Sequence, residues 1–139
     1  MQTLLIATAC VVTAQHQLLV VRKRGSQFWM LPGGKLDGAE TPRQALLREL
    51  QEELQWTVPA DLLTPLAHFE NHAANEANTR VQAHVFVATL AQQPSLQIAA
   101  EIAAMQWIDI HDPAQSHLAP LLEEQVLPAL RTRFGVSPT

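Results

Sequence analysis

The sequence is poor in cysteine, in aromatic residues and in positive charge, and each shortage narrows what the protein does. Cys10 is the only cysteine in 139 residues, so no intrachain disulfide forms and stability must come from a core. Its neighbours are apolar, which marks a buried thiol rather than a reactive one and suits a reducing compartment. Nine Lys and Arg stand against 13 Asp and Glu, a formal charge of −4. That balance lacks the basic stripe with which a protein grips a nucleic-acid backbone, so no nucleic-acid partner is expected. An acidic chain still binds phosphates through metal ions. No apolar run approaches the roughly 20 residues of a membrane span. The stretch Leu4 to Val12 is apolar but short, and no Lys or Arg precedes it, which disfavours a secretory signal. The expectation is a cytoplasmic protein without membrane contact. There is also no low-complexity tract, charge run or repeat at solenoid spacing.

What is present reads as globular: 47% of residues are hydrophobic and 16% charged. The length suits one domain over residues 1–139. Two apolar, β-rich runs, Leu4 to Thr13 and Gln17 to Arg22, flank the polar Ala14-Gln15-His16 and predict a buried hairpin. A short apolar segment, Phe28 to Leu31, leads into a loop from Pro32 to Glu40. Thr41, Pro42 and Gln44 form a capping-box start, predicting a helix from Pro42 to about Leu54. Strands follow at Leu63 to Phe69, Arg80 to Leu90 and Met105 to Ile110, with a polar segment from Glu70 to Thr79. A helix from Ala114 to Arg131, bent or interrupted near Pro128, closes the order. Strands, helix, strands and helix together predict an α/β fold with helices flanking a mixed sheet.

The helix carries Arg48-Glu49-Leu50-Gln51-Glu52-Glu53. Acids at i, i+3 and i+4 fall within about 100° of arc, so Glu49, Glu52 and Glu53 share an edge. Leu46, Leu47, Leu50 and Leu54 occupy the adjoining arc, which predicts a clean separation of core and acid faces. Crowded like charges cost a few tenths of a kcal/mol per i,i+4 pair, and a hard divalent cation neutralises them. Taken alone, a Glu-rich helix is more often just a solvated face, and the loop before it decides between the two.

Gly34, five residues, Glu40, seven residues and then the hexapeptide from Arg48 to Glu53 resemble the Nudix box. Six fixed identities match by chance at on the order of one start in ten million. The resemblance covers about a sixth of the chain directly, and the order of elements is similar to the Nudix α/β/α sandwich, a mixed sheet flanked by the box helix and a C-terminal helix. The chain departs from the pattern at Gln55, where the family usually has a glycine that eases a left-handed helix end.

The resemblance implies roles. Glu52 and Glu53, then Glu49, are the expected ligands of Mg²⁺, with Mn²⁺ as a substitute, and the carbonyl of Gly33 joins them. Arg48 orients Glu49. Glu40 braces the loop, while Lys35 meets a phosphate or pairs with an acid. The general base is Glu49 or Glu101. Arg22, near the expected substrate mouth, is a candidate for gripping phosphates, and Phe28 for stacking on a base; a solubilising strand end and a core contact are their ordinary alternatives. Zinc is not expected, because the six histidines form no ligand grouping tied to the box.

The implied reaction is Mg²⁺-dependent cleavage of a nucleoside diphosphate linked to another group. Without tyrosine, and without the proline-rich stretch that follows the box in NADH-type members, the chain looks most like the MutT type. That type converts normal or oxidised nucleoside triphosphates to monophosphate and pyrophosphate. The alternatives are an ADP-ribose or nucleotide-sugar pyrophosphatase and, from another class, a noncatalytic nucleotide sensor. The expected partner is a small nucleotide, and the chain a monomer or homodimer.

Overall fold

The computed structural model describes residues 1–136. Its elements are strands β1 (Gln2–Thr13), β2 (Gln17–Lys23) and β3 (Gly33–Lys35), helix α1 (Pro42–Leu54), strands β4 (Thr64–His72), β5 (Thr79–Leu90) and β6 (Ile102–Asp109), and helix α2 (Leu127–Phe134). A mixed six-stranded sheet runs β4-β5-β1-β2-β6, with β3 joined to β1. β1 and β5 pair in parallel along twelve residues of each strand, from Gln2↔Thr79 to Thr13↔Leu90. β1 therefore lies in the middle, and from Ala7 to Thr13 it is buried on both faces, as its continuous apolar sequence requires.

Alternation along β1 divides the core. Ala7, Ala9 and Val11 face α1, where Leu46, Leu50 and Leu54 cover them. Cys10 and Val12 face the other side, with Val126, Leu127 and Leu130 of the C-terminal helix. Burial raises the Cys10 thiol far above its ordinary pKa, consistent with an inert core residue.

The predicted hairpin forms only at its closed end. Val12 opposes Leu18, and beyond that point β1 and β2 part. The chain from Met30 to Lys35 fills the gap: Val21 and Met30 exchange backbone hydrogen bonds of 2.8 and 2.9 Å, and Ile6, Ala7 and Thr8 pair with Lys35, Gly34 and Gly33. Part of the expected loop is thus a strand, because it satisfies backbone groups of β1 that the parting of β2 would leave buried and unpaired.

α1 has the expected bounds, and Thr41 and Gln44 make the reciprocal capping box. At its end Gln55 adopts the left-handed conformation, φ 50° and ψ 42°, while its N–H bonds Gln51 O. A non-glycine residue there costs about 1–2 kcal/mol. Trp56 compensates by packing into the α1 core, and its N–H reaches Leu50 O.

The C-terminal helix differs from expectation. Residues 114–119 form turns and a bridge, and helical structure begins at Pro120, whose missing N–H is harmless at that position. Leu122–Val126 form a π segment immediately before α2, with Leu127 N–H donating to Leu122 O. Pro128 cannot donate and its ring crowds the carbonyl four residues earlier, so the expected bend or interruption takes the form of a widened turn. β4 also runs three residues further than predicted, to His72.

Candidate active site

The acids stand where β1 and β2 part. Gly33 is at φ 144°, and a Cβ there would lie 2.1 Å from Ala7 O, so only glycine permits the loop to lie against β1. The Gly33 N–H then donates to Glu53 Oε1 at 3.0 Å. A Cβ on Gly34 would lie 2.5 Å from Glu49 Cδ, so this second glycine makes room for the Glu49 carboxylate.

The expected separation of core and acid faces does not hold. Glu53 is only 2% exposed, while the side chains of Glu49 and Glu52 are 16% and 50% exposed. The shared arc straddles the edge of the core, and the loop over Gly33 covers one end of it. Burial pushes the Glu53 carboxyl up to about 8, opposed by the Gly33 N–H and reinforced by the Glu49 charge. Among the described residues, Glu53 Oε2 and Thr8 Oγ1 are buried without a hydrogen-bond partner. Burial also raises Glu49.

Arg48 holds the exposed side of this edge. Its guanidinium grips Glu40 through two 2.8 Å bonds, donates to Glu49 Oε1 at 2.8 Å, and reaches Glu52 Oε1 at 3.2 Å and Lys35 O at 3.0 Å. Glu40, which also accepts from Asp37 N–H, braces the loop, and these contacts lower its pKa to about 2.

Glu101 reaches the site through backbone pinning. Gln97 and Ala99 N–H groups bond the carbonyls of Leu54 and Glu53 at the end of α1, and Arg24 N–H bonds Glu101 O at 2.9 Å. The Glu101 carboxylate pairs with Lys23 Nζ at 3.2 Å. Glu49, Glu101, Lys23, Arg24 and Lys35 line a polar cleft of about 550 Å³. A second, apolar cavity of about 150 Å³ adjoins it on the α2 side of the sheet and shares Lys23, Gly34, Lys35, Asn75 and Glu76 with it.

The structure does not bring every expected residue to this cleft. Arg22 lies in a separate recess with Trp29 and His117, its guanidinium 5.6 Å from the Trp29 ring centroid and bonded to Ser26 O. Phe28 lines neither cavity. Arg22 and Lys23 sit at a register shift in the β2–β6 pairing, so the parity by which strand residues alternate between faces does not by itself separate them. Asn75, Glu76 and Thr8 also belong to the cavity walls. Only Thr8, on the same face of β1 as Cys10, was open to that parity argument.

No three Asp, Glu, His or Cys side chains converge as a closed metal site among the described residues. The buried, unpartnered Glu53 oxygen and the all-oxygen donors around it fit a hard divalent cation.

Residues 3–130 match the family model of the NUDIX domain. An 8-oxo-dGTP diphosphatase from Proteus vulgaris is 60% identical over 42 residues, which are 30% of this chain and 38% of that one. A crystal structure of a MutT NUDIX hydrolase from Burkholderia pseudomallei superposes with a TM-score of 0.70 at 26% identity, covering 91% of this chain and 99% of that one. The E. coli ORF135 protein superposes with a TM-score of 0.74 at 24% identity over 100% and 96% of the two chains, a likeness of fold.

Proposed function

This chain belongs to the Nudix family, and on that premise we propose that it is a Mg²⁺-dependent pyrophosphohydrolase converting nucleoside triphosphates, normal or oxidised, to monophosphate and pyrophosphate. One observation carries the reading: a buried carboxylate oxygen of Glu53 has no hydrogen-bond partner among the described residues, on the helix edge whose Glu49 lines a polar cleft that adjoins an apolar cavity. The cleft suits the phosphates and the cavity the organic group.

In this reading Glu53, Glu49 and Glu52 hold the cation, with the Gly33 carbonyl beside them. The cation, when bound, neutralises phosphate charge and makes water a stronger nucleophile. Lys23, Lys35 and Arg24 orient the phosphates from the cleft wall. Water oxygen bonds to phosphorus, the bridging P–O bond breaks, and Glu49 or Glu101 takes the proton. Arg48 positions Glu49 and does not touch the substrate.

A panel of nucleotides with Mg²⁺, with products separated by chromatography, tests this. Release of pyrophosphate and monophosphate from triphosphates is the expected result. Hydrolysis of ADP-ribose or nucleotide sugars alone would move the assignment to their pyrophosphatases, and binding without turnover would make the chain a sensor.

A further inference from the structure

Lys23, Arg24 and Lys35 line the polar cleft, and the structure treats these cations differently. Among the described residues Arg24 and Lys35 make no ion pair, whereas Lys23 Nζ lies 3.2 Å from a Glu101 carboxylate oxygen. An incoming phosphate thus meets two cations without a carboxylate partner and one that already has one.

The pairing is built into the sheet. In the β2–β6 ladder Arg22 pairs with Ala104 but Lys23 with Ile102, so Ala103 is an extra residue. Such a bulge re-aims what lies beyond it, and here it shifts Glu101 by one position to the end of β2. Backbone bonds fix it there: Arg24 N–H donates to Glu101 O at 2.9 Å, and Ile102 N–H donates to Ala99 O at 3.1 Å, closing a turn. Within that turn Ala100 takes φ 54°, a left-handed conformation that a residue with a Cβ adopts only when its surroundings impose it.

The side chains are held less firmly than this backbone. Lys23 is 32% exposed and Glu101 62%, so the lysine is the seated partner and the glutamate the one open to water. A pair this exposed contributes little to stability, and rotation of the Glu101 side chain is enough to end it. A diphosphate brings more negative charge to the ammonium than one carboxylate does, so it prevails while losing the worth of the pair it displaces.

We propose that the Glu101 carboxylate is a built-in competitor for the phosphate site on Lys23: it holds the ammonium in the free protein and yields it to a substrate phosphate. Phosphate binding then frees Glu101, one of the two groups assigned above to take the proton. This rests on the function proposed above for phosphate as the ligand of the cleft, and not on turnover.

Calorimetric titration with methylenediphosphonate, a pyrophosphate analogue that water does not cleave, tests the exchange. Saturating Mg²⁺ is present, and salt at about 0.15 M screens direct repulsion between Glu101 and the ligand. Glu101→Gln removes the competitor, so Kd should fall about two- to fivefold, the range an exposed ion pair spans. Lys23→Met should raise Kd at least about threefold. In that background Glu101→Gln should change Kd by less than about 1.5-fold, because no ammonium is left to compete for. Lys23→Arg keeps a cation and should keep the gain from Glu101→Gln. An equal gain with and without Lys23 would mean that Glu101 merely repels anions. No gain at all would mean that Lys23 serves both anions at once. Either result overturns the proposal, as does a lack of diphosphonate binding in every variant.

The same measurements separate this proposal from the hydrolase reading. Non-additive binding in a protein that cleaves no nucleotide sustains the exchange and rejects the hydrolase. Cleavage of triphosphates with additive substitutions does the reverse.

Discussion

Replacing Glu53 with Gln tests whether its burial is held in place by a cation. Glu53 is 2% exposed, and burial raises its carboxyl from 4.5 to about 8 in the metal-free protein. An acid whose folded pKa exceeds its unfolded one keeps its proton longer in the folded state. Its contribution to stability is full below about pH 4.5 and is lost as pH rises through about 8. At about 1.4 kcal/mol per unit, the loss has a ceiling of about 5 kcal/mol, and relaxation and water entry bring it to about 2–5. Glutamine keeps the acceptor for the Gly33 N–H and removes the charge. In EDTA, the variant should match the parent near pH 5 and exceed it by about 2–5 kcal/mol at pH 9, or at least 6 °C in Tm at roughly 3 °C per kcal/mol. Mg²⁺ should restore the parent at high pH and leave the variant nearly unmoved. Denaturation curves of both proteins from pH 5 to 9, with and without Mg²⁺, make the measurement. Parallel curves for parent and variant would refute the reasoning, since they would mean that Glu53 carries its charge without strain.

Gly34→Ala should displace Glu49, because its Cβ would lie 2.5 Å from the carboxyl carbon; kcat in the nucleotide assay should fall at least tenfold while the circular dichroism spectrum stays unchanged. Arg48→Lys keeps the charge but loses the paired grip on Glu40 and the bonds to Glu49 and Glu52, so kcat should fall about tenfold or more while the pattern of substrate preference is retained. Gln55→Gly relieves the left-handed conformation by about 1–2 kcal/mol and returns about 0.5–1 to the unfolded chain, for a net gain of about 0.5–1 kcal/mol in urea unfolding. Glu101→Gln should lower kcat at least tenfold with substrate preference retained if Glu101 takes the proton, and should leave kcat nearly unchanged in the nucleotide assay if Glu49 does.

The box helix was legible because each of its signals is local. Thr41, Pro42 and Gln44 specify its start, and four leucines at helical spacing specify its buried stripe. Strand identity along β1, β2 and β5 was legible for the same reason, from apolar runs bounded by turn residues. Placement of Glu53 was not. Its arc on the helix is shared with Glu49, and its burial depends on Gly33 closing over it, a contact across twenty residues of sequence. The strand at Gly33–Lys35 was likewise hidden, since three residues with two glycines carry no strand signal and pair only because β2 turns away from β1. Pro128 was read as a bend or interruption, and the chain meets it with a π turn over Leu122–Val126, a form of interruption that the proline's identity alone does not specify.

By itself, the order of residues determined the family, the ends of the carboxylate helix and the chemistry those carboxylates suit, because spacing along one helix is a property of nearest neighbours. Which acid is buried, that Lys23 rather than Arg22 reaches the cleft, and that Thr8 is buried beside an aliphatic cavity were decided only when distant strands met. Solvent exposure and pKa depend on everything packed around a group, and most of what surrounds these side chains is remote in sequence.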